Sequence, residues 1–248
     1  MKKSVIIILF AVALILLLLS FLNINETLKN IFIGLGTNIF GIVVTVLFVQ
    51  RIIDKQDKIN EKNEEKDKII RFSRFMTIMI RRYTALFAQI TIPMSKFPKD
   101  KTPVLKTEFD FEDMKDLHKP CLLMSEGWKS AISTFYKQEK KLKDYMLRML
   151  ENIGFKYYPE IQKTLTDFIE NSEAYDVSSA IINNETDKRI IDTISTCFND
   201  NQKEKWVEKF DSNDLNSNFM FNYVILYKLL KIEASLLIGY EREIEKIE

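Results

Sequence analysis

The residues best suited to chemistry lie in one short stretch, Phe109-Asp110-Phe111-Glu112-Asp113-Met114-Lys115-Asp116-Leu117-His118-Lys119-Pro120-Cys121. His118 is the chain's one histidine, and with the carboxylates before it and the Cys121 thiol after it the stretch holds oxygen, nitrogen and sulfur donors of the kind a transition metal takes. No second cluster exists in the sequence to complete a coordination sphere, and acids ahead of a helix commonly serve its positive N-terminal end. The stretch therefore reads as a helix start followed by a surface histidine, with no metal. Helical nucleases place an Arg four to six residues before the His, whereas positions 112 to 114 are Glu112, Asp113 and Met114. Cys121 beside Lys119 lacks a convincing base and reads as a partly buried structural thiol. There is no P-loop, GxGxxG, GxSxG or HExxH. Paired carboxylates stay open, because Asp and Glu are abundant and their spatial partners are not visible in a sequence. The expectation is a non-enzyme with no catalytic residue and no cofactor.

A second pattern concerns packing in a membrane. Gly34, Thr37, Asn38, Gly41 and Thr45 fall inside the uncharged run Ile31 to Val49. Thr37, Gly41 and Thr45 recur every four residues, giving one helix face on which another backbone can approach closely. Asn38 beside them needs a hydrogen-bonding partner or water at membrane depth, which makes this face a self-association or pore-lining candidate. The competing use of the same residues is packing on a neighbouring span of the same chain.

That neighbour is the run Val5 to Leu22, with 15 of its 18 residues Val, Ile, Leu or Phe. On an insertion scale of roughly −0.3 to −0.6 kcal/mol per such residue it strongly favours the bilayer. It is longer than the apolar core of a signal peptide, and Ser20-Phe21-Leu22-Asn23 offers no small-x-small cleavage site. Residues 1–50 thus read as a transmembrane hairpin with spans at about 5–22 and 31–49. Lys2 and Lys3 precede the first span and Arg51, Lys55 and Lys58 follow the second, so both termini are expected in the cytoplasm.

The charges are divided unevenly. The first 50 residues carry only Lys2, Lys3, Glu26 and Lys29, while the other 198 carry 33 basic and 34 acidic residues. A net of −1 there argues against nucleic acid as a partner, which calls for a basic stripe. Residues 51–71 are dense in charge without Gly or Pro and read as a solvated helical stalk with too sparse an apolar seam for a stable coiled coil.

Residues 72–248 read as a cytosolic all-helical domain. Phe75, Met79, Leu86 and Ile90 share one face of a helix that Pro93, Pro98 and Pro103 end, with Arg71, Arg74, Arg81 and Arg82 on its wet side. Trp128, Ile132, Phe135, Leu142, Met146 and Met149 form the next stripe, stopping before Gly154. Pro159 suits the first turn of a helix carrying Ile161, Leu165 and Phe168. Shorter helices are expected at 174–182, 188–198 and around Trp206, after an Asn-rich connector at 212–222 a last one spans about 218–247, and two cysteines are too few for a disulfide framework.

The string from Leu35 to Val49 followed by Arg51-Ile52-Ile53-Asp54 resembles the second span of a loose group of bacterial two-span proteins. In that group a small-polar-small helix runs into a charged stalk and a variable helical cytosolic domain, and the resemblance covers about a fifth of the chain. Several bacterial antiviral effectors that disrupt the inner membrane share the plan. What the resemblance implies is an effector or signalling protein: a homo-oligomer in the lipid bilayer, governed by a cytosolic protein or small-molecule ligand. The alternative reading is a passive membrane anchor for a protein-interaction scaffold.

Overall fold

The computed structural model describes residues 3–22, 25–97, 102–122, 129–200, 205–212 and 218–248. The expectations placed on Lys2, Asn23, Pro98, Trp128 and residues 213–217 of the Asn-rich connector lie outside these residues. The regular elements among the described residues are helical: α1 (Lys3–Leu19), α2 (Glu26–Thr91), α3 (Ala131–Asn152), α4 (Pro159–Ala174), α5 (Ser178–Asn183), α6 (Lys188–Asn199), α7 (Trp206–Asp211) and α8 (Met220–Glu245). Short 3-10 turns lie at Met94–Lys96, Phe111–Asp116 and Asn184–Thr186. The chain is all-α, with one isolated backbone bridge between Pro120 and Ser130 and no strand among the described residues. It divides into two units, Met1–Glu64 and Glu65–Glu248.

In the first unit, α1 and the early part of α2 run in opposite directions, with Phe10 against Phe40 (ring centroids 5.9 Å apart) and Gly36 against Ala13 and Leu17. Ala13 and Val43 are buried there, while Ile7, Ile8, Leu18, Ile42 and Phe48 are exposed. Among the described residues one helix, α2, is long and apolar enough to cross a membrane by length and composition, and only 11% of its apolar window is buried. The expectation of two such spans is met in one helix only, because the apolar stretch of α1, Val5–Leu19, is shorter. Polar Ser20 follows it, and backbone bonds from Ser20, Phe21 and Leu22 to Leu17, Leu18 and Leu19 continue the turn without extending the α-helix. From Arg51 to Glu64 α2 is exposed throughout, as expected of a charged helix; the solvated stretch ends earlier than residue 71, since Ile69 is fully buried.

The second unit is built on stripes of apolar residues at helical spacing, burial of which is its main source of stability. The last part of α2 contributes Ile69, Met76, Met79, Ile80, Tyr83, Leu86, Phe87 and Ile90. Met79, Leu86 and Ile90 are buried as expected, but Phe75 is 47% exposed and Met76 takes the core position in its place. Arg71, Arg74, Arg81 and Arg82 are exposed, on the expected wet side. α3 begins at Ser130, whose side chain accepts a hydrogen bond from the Ser133 amide at 3.1 Å. It buries Ile132, Phe135, Leu142, Met146 and Met149. α3 ends at Asn152 without using Gly154 for a left-handed residue; Phe155 takes that conformation (φ 50°), held by a ring that is only 1% exposed. The amides of Lys156 and Tyr157 then donate to the two carboxylate oxygens of Glu65, at 3.1 and 2.9 Å. α4 opens on Pro159 and buries Ile161, Leu165 and Phe168. The helix expected over 174–182 is split, with Ala174 closing α4 and α5 starting at Ser178. α8 packs mainly on α4 and buries Tyr223, Leu230, Ala234, Leu237 and Ile244.

Candidate functional sites

In the first unit the small residues of α2 divide between two faces. A methyl group at Gly36 would stand 2.9 Å from Leu17 Cγ and 3.2 Å from the Ala13 carbonyl oxygen. Gly36 is therefore the glycine that admits α1. Gly34 and Gly41 have nothing within 4 Å of where a Cβ would be. At about 100° per residue, Gly34, Asn38, Gly41 and Thr45 lie within roughly 40° of the point opposite Gly36 and Val43. The Thr37 hydroxyl donates to the Ile33 carbonyl at 2.7 Å and that of Thr45 to the Gly41 carbonyl at 2.9 Å, so both are satisfied within the helix. Asn38 is exposed and has no side-chain hydrogen bond among the described residues. Of the five residues singled out from the sequence, Gly34, Asn38, Gly41 and Thr45 share the side away from Gly36, while Thr37 stands roughly 70° round the helix from its centre.

In the second unit, polar groups converge at the centre of the core. Glu233 of α8 is fully buried, as are Ser172 of α4 and, nearly so, Glu139 of α3. The Tyr83 hydroxyl donates to Glu233 Oε2 in a very short bond. Ser172 Oγ lies 3.0 Å from Glu233 Oε1 and very close to Glu139 Oε1. A serine hydroxyl has one hydrogen, so it can donate to only one of the two carboxyls, and the other contact requires a proton on a carboxyl group. Burial, and then the charge of Glu139, pushes the Glu233 carboxyl well above its ordinary value; bonds from Tyr83 and Ser172 oppose this without reversing it. Glu139 is also raised by burial, against the pull of Ser172 and Lys143. Both shifts favour a proton held within the pair. Lys143 supplies the neighbouring positive charge, 2.6 Å from Glu173 and 3.7 Å from Glu139.

These residues were missed in the sequence, although a signal was present. Glu139 follows Phe135 and precedes Leu142 in the α3 stripe, Ser172 follows Phe168 in α4, and Glu233 falls between Leu230 and Leu237 in α8. Each is a polar residue at an apolar position of a 3-4 repeat, where burial with a partner is required.

His118 is not a surface residue. Its side chain is 5% exposed, with Nε2 2.8 Å from the Tyr223 hydroxyl and Nδ1 3.1 Å from Glu185. Asn184 also donates to the Tyr223 hydroxyl, at 3.1 Å. Both ring nitrogens are thus engaged in joining the Phe111–Asp116 turn region to α8 and the Asn184–Thr186 turn. Asp116 accepts from the Met94 amide at 2.7 Å and pairs with Lys119 at 2.7 Å; burial raises its carboxyl, but these partners outweigh it and hold it below the ordinary range. Cys121 is buried, as a structural thiol should be. Among the described residues no group of three His, Cys, Asp or Glu side chains is placed to hold a metal ion. Compared with family models, curated proteins and solved structures, the chain matches none.

Proposed function

We propose that the protein is a membrane effector or signalling protein of the bacterial inner membrane. Its two N-terminal helices span the bilayer as a hairpin with both chain ends in the cytoplasm. The hairpin self-associates through the face carrying Gly34, Thr37, Asn38, Gly41 and Thr45, and the helical domain controls that association when it binds a ligand or a protein partner. Opening of a pore in antiviral defence is the output we assign to it.

The observation that carries this reading is Asn38: an exposed amide without a partner, on the side of α2 opposite the α1 contact, within an apolar window that is 11% buried. In hydrocarbon, an amide of this kind gains roughly 1 kcal/mol from a bond to a neighbouring helix, and the flanking glycines let that helix approach. α1 needs help to span: its 17 residues reach about 25 Å against a core of about 30 Å. The turn through Leu22 or slight local thinning of the bilayer makes up the difference.

The test is disulfide cross-linking in membranes, with Cys121 and Cys197 replaced by Ser. Asn38→Cys is expected to give a covalent dimer on oxidation and Val43→Cys, buried against α1, is expected to give none. Equal cross-linking at the two positions, or none at either, would exclude this face and leave a passive anchor.

A further inference from the structure

A groove of about 290 Å³ runs between the last part of α2 and α3. Arg82 enters its lining from α2, Lys141 and Arg148 enter it from α3, and all three are exposed. Among the described residues none of the three side chains makes an ion pair or a hydrogen bond. Asp144 is the acid in the lining, which leaves the groove a net charge of +2. The chain beyond residue 50 is otherwise balanced, at a net of −1, so this is a local excess. Cations crowded without partners repel one another, and an anion among them relieves that repulsion.

The apolar part of the same lining narrows the kind of anion. Phe75 and Tyr145 both belong to it, with ring centroids 4.8 Å apart. The Tyr145 hydroxyl donates to the Phe72 carbonyl at 3.2 Å, so that ring is held in place and its polar end is already used. Phe75 departs from the buried stripe of α2 and leaves 47% of its surface exposed beside the cations. An exposed aromatic ring flanked by Arg and Lys suits a planar ring that carries a phosphate, the ring stacking while the charge is paired. A bare inorganic anion would leave Phe75 uncovered, and an amine or a metal ion would meet three positive charges.

We propose that this groove binds a nucleoside monophosphate, with the phosphate on Arg82, Lys141 and Arg148 and the base against Phe75 and Tyr145. A phosphate monoester carries about −1.5 to −2 charges near neutral pH, which matches the net charge of the lining. The planar guanidinium groups of Arg82 and Arg148 present paired donors of the geometry that phosphate oxygens accept. The site gives a chemical class to the ligand of the function proposed above, and rests on that reading only for its consequence at the membrane. Binding here and cross-linking through Asn38 are separate measurements, and the failure of one leaves the other standing.

The experiment is calorimetric titration of the full chain in a nonionic detergent at low salt with adenosine 5′-monophosphate, and separately with adenosine and with inorganic phosphate. Saturable binding of the nucleotide at one site is expected, with each half of the molecule binding more weakly by on the order of tenfold or more. Arg148→Gln is expected to weaken the nucleotide by on the order of tenfold; the side chain is exposed and unpaired, so folding survives the change. Phe75→Leu is expected to weaken the nucleotide severalfold and to leave phosphate unaffected, a split that a merely structural ring would not give. No saturable binding of the nucleotide, equal affinity in Arg148→Gln, or phosphate binding as tightly as the nucleotide would overturn the proposal. So would loss of nucleotide binding when phosphatidylglycerol is added to the micelles, which would assign the cations to a lipid headgroup.

Discussion

Replacing Glu233 by Gln tests the shared proton at the centre of the helical domain. Gln keeps the shape, accepts from Tyr83 through its carbonyl and donates to Ser172 through its amide, but it does not titrate. In the native protein the Glu139–Glu233 pair retains a proton that the unfolded chain releases above the ordinary glutamate value of 4.5. Because the folded-state value is raised, stability is full below about 4.5 and falls as pH rises toward the folded-state value. While the folded pair holds the proton, stability falls by at most about 1.4 kcal/mol per pH unit. Asp116 and Asp176 are shifted the opposite way, with burial outweighed by their bonds to Lys119 and Met94 and to Ser178, and they lose stability on acidification. They are common to both proteins and cancel in the comparison. Urea unfolding of the detergent-solubilised chain, followed by tryptophan fluorescence, reads this domain, because both tryptophans lie beyond residue 64. With a slope of 1–3 kcal/mol per molar urea, the native midpoint should fall with rising pH more steeply than that of Glu233→Gln, by at most on the order of 1 M per pH unit. Identical pH dependence in the two proteins would refute the shared proton.

Two further outcomes follow from single contacts. Glu65→Ala removes the acceptor for the Lys156 and Tyr157 amides and should cost about 1–2 kcal/mol in the same unfolding assay, while Glu64→Ala, on exposed helix, should cost almost nothing. Gly36→Leu forces a side chain into Leu17 and the Ala13 carbonyl, so it should separate α1 from α2, measured as lost cross-linking between cysteines placed at residues 10 and 40; Gly34→Leu should leave that pair intact.

Much of the helical framework was legible because apolar spacing is a local property. Pro159 marked the start of α4, and Ile161, Leu165 and Phe168 marked the face it buries. The same reasoning placed the core face of α8 at Tyr223, Tyr227, Leu230, Ala234, Leu237 and Ile244, and of these only Tyr227 is half-buried rather than buried. It misplaced Phe75, which lies half exposed beside Tyr145 of α3 while Met76 and Ile80 take the buried positions. The polar centre was harder to foresee. Glu139, Ser172 and Glu233 come from three helices, and His118 meets partners 67 and 105 residues away. Such juxtapositions depend on how helices dock, which spacing within one helix does not encode. The stripe of α3 stops before Gly154 as expected, but the left-handed residue that follows is Phe155, whose buried ring holds that conformation. The small residues of α2 were found as a group, but their division into a Gly36 side and an Asn38 side required the position of α1.

Self-association through the Asn38 side of α2 is tested most directly by the mass of the detergent-solubilised protein, corrected for bound detergent, for the native chain and for Gly41→Leu. The native protein should run as a defined multiple of one chain and Gly41→Leu as a single chain, with its tryptophan fluorescence unchanged. A native mass of one chain, or the same multiple in both proteins, would contradict it.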